Sequence, residues 1–259
     1  MRYFIELGYN GANFHGWQSQ PNCVTVQSTL ESALSLVLRK NISVTGAGRT
    51  DTGVHAHQMY AHFDYPYEIK DQKRILLSLN SLIGKDIEIY NLIKTKDECH
   101  ARFDATNRTY KYFISYSKSP FLNNFYWFSP SLLDLDLMNE AASLLLRIDD
   151  FTSFAKLHSD SKTNICKVIR ADWKPIMEDI EACKFIGSLN NGFVFTVSAD
   201  RFLRNMVRAI VGTLVEVGKH KISIYNFKEI IEGKNRCLAG TSMPANALFL
   251  WHVSYPFLP

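Results

Sequence analysis

The sequence predicts an α+β protein of two halves, with helices packed on a largely antiparallel central sheet. Three observations lead there. Over the first hundred residues the hydrophobic period alternates between that of strands and that of helices, in the order strand, helix, strand, strand, helix, strand. The remaining residues mix helical and strand patterns again. No low-complexity linker divides them, so the halves are expected to share one continuous sheet. The order in the first half is that of the ferredoxin-like, or RRM-like, unit, and a second related unit is expected to follow. The division falls at residues 1–105 and 106–259.

In the first half, residues 2–9 alternate as a strand and end at Tyr9-Asn10-Gly11. The loop His15-Gly16-Trp17-Gln18-Ser19-Gln20-Pro21 follows, with Trp17 either a packing lid or a residue that stacks on a base or supports a site. Thr25 is the expected N-cap of a helix whose apolar face is Val26, Leu30, Ala33, Leu34 and Val37. Strands at 42–45 and 58–64 flank a glycine-rich loop. A helix at 71–82 and a strand at 86–93 complete the unit.

In the second half, a strand running up to Tyr116 places Tyr110, Tyr112, Ile114 and Tyr116 on one face, and Thr109, Lys111 and Phe113 on the other. A helix is expected at 135–147, then strands at 168–173, 181–188 and 192–198. Helices at 201–217 and 224–232 and a strand at 248–255 close the chain.

A composition of 46% hydrophobic and 21% charged residues is that of a folded globular chain and excludes disorder. The formal charge of +4 is a mild cationic bias, compatible with a nucleic-acid partner and insufficient to imply one. Cys23, Cys99, Cys166, Cys183 and Cys237 are an odd, scattered set without a C-x-x-C pair, which argues for reduced thiols and against a disulfide framework or structural zinc. The charged start Met-Arg-Tyr-Phe-Ile-Glu is unlike a signal peptide, and no apolar run reaches membrane-spanning length. A cytoplasmic protein with no membrane partner is expected.

The loop between the strands at 42–45 and 58–64 is the most informative stretch. Gly46, Gly48 and Gly53 surround Arg49-Thr50-Asp51. Glycine permits positive φ and close backbone approach, so the loop presents one carboxylate and one guanidinium from a rigid frame. A surface pairing of Arg49 with Asp51 is the simpler reading and fits the chemistry equally well.

Two further stretches carry positive charge. At about 100° per residue, Phe202, Leu203, Met206, Val207, Ile210, Val211 and Leu214 fill one arc of the expected helix. Arg201, Arg204, Asn205 and Arg208 fill the other. Cations at a helix N-terminus oppose its dipole, and within the expected helix no acidic residue lies at i,i+4 to offset them, so an anion-facing role is favoured over a solvated face. In Cys99-His-Ala-Arg-Phe-Asp-Ala-Thr-Asn-Arg-Thr-Tyr-Lys-Tyr112, arginines interleave with aromatics, as suits alternating phosphate contact and base stacking. A strand with one aromatic face in the core accounts for Tyr112 and Tyr116 equally well. His55, His57 and His62 match no metal-ligand spacing and are read as core or supporting residues. There is no P-loop, dinucleotide fingerprint or nucleophile-elbow signature, so neither a metal nor a cofactor is expected.

Taken in order, these motifs resemble the tRNA pseudouridine synthase A family. Gly48-Arg49-Thr50-Asp51 with Gly53-Val54-His55 is similar to its catalytic loop, with Thr52 where alanine is usual. Tyr9-Asn-Gly, Gly16-Trp-Gln and Thr25-Val-Gln resemble its opening segments, with Asn10 in place of aspartate. Ala101-Arg-Phe-Asp-Ala, Thr109-Tyr-Lys-Tyr, Asp150-Phe-Thr-Ser-Phe154 and Phe202-Leu-Arg-Asn-Met-Val-Arg208 match four more. Near the C-terminus, Ala247 stands where the family has glycine.

The resemblance implies a cofactor-free isomerase that converts uridine to pseudouridine at positions 38, 39 and 40 of the tRNA anticodon arm. Asp51 would be the essential carboxylate, acting as nucleophile on sugar or base or abstracting a sugar proton. Arg208 would pair with Asp51 and keep it ionised, and Arg49 would assist base flipping. Tyr110 would stack on the uracil, while Arg102, Arg201 and Arg204 hold phosphates. A homodimer is implied as well. The alternatives are a non-catalytic tRNA-binding protein or chaperone using the same basic surface and, less favoured, a metal-dependent nuclease.

Overall fold

The computed structural model describes residues 1–157 and 163–258. Among these the elements run β1 (Arg2–Tyr9), α1 (Val26–Leu38), β2 (Thr45–Gly46), β3 (His55–Asp64), α2 (Gln72–Leu82), β4 (Ile87–Thr95), β5 (Asn107–Ser115), β6 (Trp127–Phe128), α3 (Leu135–Leu144), β7 (Val168–Pro175), α4 (Ile180–Ile186), β8 (Gly192–Ala199), α5 (Met206–Gly218), α6 (Ile224–Glu232) and β9 (Leu248–Ser254). The chain divides into two compact units, residues 1–107 with 249–259, and residues 108–248. Each mixes helices with a mostly antiparallel sheet, the α+β class that the sequence predicts.

In the first unit β1 is central. It pairs antiparallel with β3, from Arg2 opposite Asp64 to Leu7 opposite Met59, and with β4, from Arg2 opposite Thr95 to Tyr9 opposite Ile87. Its near-continuous burial follows from the run Tyr3-Phe4-Ile5 and Leu7, apolar on both faces. The first residues of β3 also pair in parallel with β9, His55 opposite Phe249.

Thr25 caps α1 through a capping box with Ser28, as the sequence signals. The buried face is Val26, Leu30, Ala33, Leu34 and Leu38, so the last turn turns Leu38 inward in place of Val37. Asp71 caps α2 by accepting from the Arg74 N–H at 3.0 Å.

The strand expected at 42–45 shortens to Thr45–Gly46. Ile42 and Val44 are buried, but helix side chains take the place of a strand partner: Glu31 accepts from the Val44 N–H at 2.9 Å and Gln27 donates to the Val44 carbonyl at 3.2 Å. The strand after the loop begins earlier than expected, at His55.

In the second unit β8 pairs antiparallel with β5, Arg108 opposite Ala199 through Ser115 opposite Gly192, and with β7 on its other side. The two-residue β6, which no periodicity announces, runs parallel to β5. Helix α5 is buried along nearly all its length, with Arg208 and Glu216 the partly exposed exceptions. It packs near α3 and α6.

Two expectations in this unit are corrected. Residues 181–188 do not form a strand. Asp179 caps Ala182 at 2.8 Å and starts the short helix α4, while also accepting two bonds from the buried Lys111 ammonium at 2.7 Å; Glu181 lies 3.1 Å from the same ammonium. The helix expected at 201–217 begins only at Met206, because Asn205 sits in the left-handed region with φ 66° and cannot continue it N-terminally. Upstream, Asp200 accepts from the Lys167 and Arg201 N–H groups at 2.8 and 2.7 Å, turning the chain out of β8. Arg201 and Arg204 therefore precede the helix and do not share a helical face with Arg208.

Candidate active site

The glycine-rich loop is fixed at its root. The Ala47 N–H donates to the Tyr60 carbonyl at 2.8 Å, leaving the ladder, and the Val54 N–H donates to the Asp51 carbonyl at 3.1 Å, closing a turn whose Gly53 has φ 79°. Between them, exposure alternates. Arg49 is exposed, Thr50 is buried and Asp51 is half-buried.

Thr50 is the anchor. Its hydroxyl meets the Tyr9 hydroxyl at 2.8 Å, and its carbonyl accepts from the Trp17 N–H at 3.2 Å. Gly16, at φ 84°, passes so close that a Cβ there would lie 2.4 Å from the Thr50 oxygen. Trp17 is buried, packs beside Tyr9 with ring centroids 6.3 Å apart, and leaves no room for a Cβ at Gly46, 2.5 Å from the indole. Trp17 is thus a buried packing residue that also braces the loop through the Thr50 carbonyl. Gly11 serves the far end: its N–H donates to His55 Nδ1 at 2.9 Å, and a Cβ would strike the Val54 carbonyl at 2.0 Å. By contrast, among the described residues nothing lies within 4 Å of a Cβ at Gly48.

The three histidines of this region go to separate partners. His55 stacks on Phe249 at 4.6 Å, and His57 on Trp251 at 4.3 Å. His62 Nδ1 accepts from the Ala101 N–H at 3.0 Å. Burial, reinforced by Arg2 and His100, lowers the His62 pKa to about 4, so its imidazole is neutral at pH 7. Among the described residues, no group of three His, Cys, Asp or Glu side chains is placed to hold a metal ion.

Arg102 lies elsewhere in this unit, exposed in the turn after β4, with its guanidinium carbon 5.7 Å from the Phe103 ring centroid.

The second unit carries Tyr110 and the arginine segment. Tyr110 sits on β5 opposite Val197, half-buried, with its ring edge-on to Phe202 at 5.0 Å. Lys111, the next residue, faces the opposite way into the buried pair with Asp179. Tyr110 and Phe202 are thus brought together, the latter from the turn ahead of α5. Arg204 is exposed, and its carbonyl accepts from the Lys156 N–H at 3.1 Å.

Arg208 stands in the first turn of α5 and is held from the side. Its Nε donates to the Met243 carbonyl at 2.6 Å, and the Met243 N–H returns a bond to the Arg208 carbonyl at 3.1 Å. The 239–243 segment can lie this close because Gly212 and Gly240 face each other. A Cβ on Gly212 would fall 1.9 Å from the Thr241 oxygen. Thr213 accepts from the Gly240 N–H at 3.0 Å, and Asn205 donates to Ser242 at 2.6 Å. Sequence reasoning missed this support. The only trace was Gly212, a glycine inside a strongly apolar helix, which marks close backbone approach.

Burial raises the Tyr112 phenol pKa, and its hydroxyl donates to the Pro244 carbonyl at 3.1 Å. At Asp179, burial pushes the carboxyl pKa up. The Lys111 bonds and the Ala182 N–H outweigh it, holding the group below the usual aspartate value.

Residues 141–256 match the family model described as tRNA pseudouridine synthase. Over nearly their full lengths, several bacterial proteins named tRNA pseudouridine synthase A are similar to this chain. The Bacteroides fragilis protein is 52% identical over 255 residues, 98% of this chain and 96% of its own. That of Parabacteroides distasonis is 51% identical over the same shares. The more distant Clostridium acetobutylicum protein is 38% identical over 253 residues, 97% of this chain and 98% of its own. Among the described residues, no helix is long and apolar enough to cross a membrane.

Proposed function

This chain belongs to the tRNA pseudouridine synthase A family and isomerises uridine in tRNA, and we propose that it does so at positions 38, 39 and 40 of the anticodon arm, with Asp51 as the essential carboxylate. The observation that carries the assignment to Asp51 is the buried Thr50 anchor. It fixes the backbone between Arg49 and Asp51 through Tyr9 and Trp17, so a single rigid point locates both side chains.

The reaction breaks the bond from N1 of uracil to C1′, turns the base over and joins C5 to C1′. C5 loses a proton and N1 gains one, so atoms balance without a redox partner or group donor, and no cofactor enters. An ionised carboxylate is needed at the start. Arg208 is proposed to pair with Asp51, because an arginine beside a carboxylate favours its charged form. A base inside a stem must leave the stack, at about a few kcal/mol. Arg49, exposed beside the anchor, is assigned to occupy the vacated space.

Tyr110 is assigned to stack on the uracil, its ring steadied edge-on by Phe202. Arg102, Arg201 and Arg204 are assigned to phosphates. The enzyme is proposed to act as a cytoplasmic homodimer, with one tRNA touching both subunits.

Site choice is tested with tRNA transcripts in which U38, U39 and U40 are replaced in turn by cytidine. Pseudouridine is then mapped by carbodiimide treatment and primer extension. Stops confined to those three positions are expected. Stops elsewhere in the tRNA would overturn the anticodon-arm assignment.

A further inference from the structure

We infer that Arg236 is a positioning residue for the isomerisation: it aims the Arg208 guanidinium through the 239–243 segment, and the Asp150-Phe-Thr-Ser-Phe154 motif is its foundation. The inference rests on the reading of Arg208 as the partner of Asp51 and adds to it the residues that hold Arg208 in place. All of those residues lie within the second unit.

The path starts at Ser153, which is buried. Its hydroxyl donates to the Ile230 carbonyl near the end of α6 at 2.5 Å and accepts from the Asn235 N–H at 3.1 Å. The Asn235 side chain in turn accepts from the Cys237 N–H at 2.9 Å, so the backbone on both sides of Arg236 is pinned. From that fixed root the guanidinium reaches along the turn. Its Nη1 donates to the Ala239 and Gly240 carbonyls at 3.3 and 3.1 Å, and its Nη2 to the Ser242 hydroxyl at 2.8 Å.

The same segment is held from α5 and the residue before it. Asn205 donates to that Ser242 hydroxyl at 2.6 Å, Thr213 accepts from the Gly240 N–H at 3.0 Å, and the Arg208 Nε donates to the Met243 carbonyl at 2.6 Å. The bond through Nε fixes the plane of the Arg208 guanidinium and with it the direction of both Nη atoms. A shift of the Met243 carbonyl therefore turns that plane.

The chemistry of Arg236 suits a brace. Its rigid fork of donors bridges the Gly240 carbonyl and the Ser242 hydroxyl together, which the point charge of a lysine does not do. Among the described residues no carboxylate pairs with it, and its three bonds all go to neutral acceptors of this one segment. The Ala239 and Gly240 bonds would be enough to close the turn. The reach to Ser242 goes further and ties the turn to Asn205, the N-cap of α5, three residues ahead of Arg208.

The test measures single-turnover tritium release at saturating enzyme, the Kd of the unmodified transcript and a urea melt. The variants are R236A and S242A, each alone and combined with R208K, and D134A as a control that removes the cap of α3 elsewhere in this unit. R236A and S242A are expected to slow the saturated rate about tenfold and to keep Kd within about twofold. Combined with R208K, which has no Nε to hold, each should cost less than about twofold further. D134A should melt at lower urea yet keep the saturated rate within about twofold. R236A turning over at the wild-type rate would overturn the role. So would an equal tenfold loss in the R208K background, or a loss in D134A as large as that in R236A, which would make the effect general loosening. Should R236A fail to fold, S242A decides, because it severs the same bond by removing one oxygen. Wild-type protein that binds tRNA but releases no tritium would refute the isomerase reading itself, whereas an active wild type with an equally active R236A would refute the positioning role alone.

Discussion

Gly16→Ala is expected to slow turnover about 100-fold in a protein that still folds. The substitution does two things. It places an L side chain at φ 84°, which costs about 1–2 kcal/mol. It also sets a methyl carbon 2.4 Å from the Thr50 carbonyl oxygen, where ordinary contact begins at 3.4 Å, so the two must part by about 1 Å. Forced overpacking of this kind adds about 1–3 kcal/mol.

For a chain of this size the combined loss should lower Tm by about 5–15 °C, seen by calorimetry. The carbonyl that must move belongs to the residue between Arg49 and Asp51, and it also carries the bond from the Trp17 N–H. A displacement of about 1 Å at a reacting group costs on the order of 100-fold in rate. Gly48→Ala is the control: a Cβ there meets open space, and its stability should stay within about 1 kcal/mol of wild type. If Gly16→Ala turned over tRNA at the wild-type rate, the Thr50 anchor would not be what positions Asp51.

The remaining predictions concern stability and support. His62 titrates near 4 when folded and near 6.5 when unfolded, so the unfolded state binds its proton more readily. Its contribution is complete above about pH 6.5 and falls by roughly 3 kcal/mol as the pH drops towards 4. Urea titrations at pH 7 and 4.5 should show that difference shrink in His62→Gln, and an unchanged difference would refute it. Lys111→Met strands the Asp179 carboxylate in the core and should cost about 3–5 kcal/mol. Adding Asp179→Asn, which keeps the cap on Ala182, should recover most of it in urea melts, and a single mutant near wild type would refute the pair's importance. Thr213→Val leaves the Gly240 N–H without its acceptor, a cost of about 1–3 kcal/mol. It should also lower kcat by loosening the segment that holds Arg208, and a stability loss with unchanged kcat would show that the segment does not position it.

Much of this was legible in the sequence because local signals agreed with the fold. The Thr25 cap and the apolar stripe of α1 each rest on a few neighbouring residues. The glycine-rich loop stood out by its glycines, although their separate tasks did not: Gly46 clears Trp17, Gly53 supplies positive φ and Gly48 has neither constraint. The failures came where distant partners decide. Apolar periodicity continued through Phe202 and Leu203, but Asn205, its amide bonded to Ser242, adopts φ 66°, and the helix starts after it. Residues 181–188 read as a strand until Asp179 is seen to cap a helix while neutralising Lys111. Val44 is buried like a strand residue, yet Glu31 and Gln27 satisfy its backbone. The Met243 carbonyl that holds Arg208 is a backbone group, invisible to any motif.

The central claim is tested most directly by tritium release from an unmodified tRNA transcript labelled at C5 of its uridines, comparing wild type with Asp51→Ala. Wild type should release label from RNA that stays full length. Asp51→Ala should bind the same tRNA with nearly unchanged Kd and release none above background. Release by Asp51→Ala at a rate near that of wild type would show that another group carries the chemistry, and the assignment of Asp51 would fall.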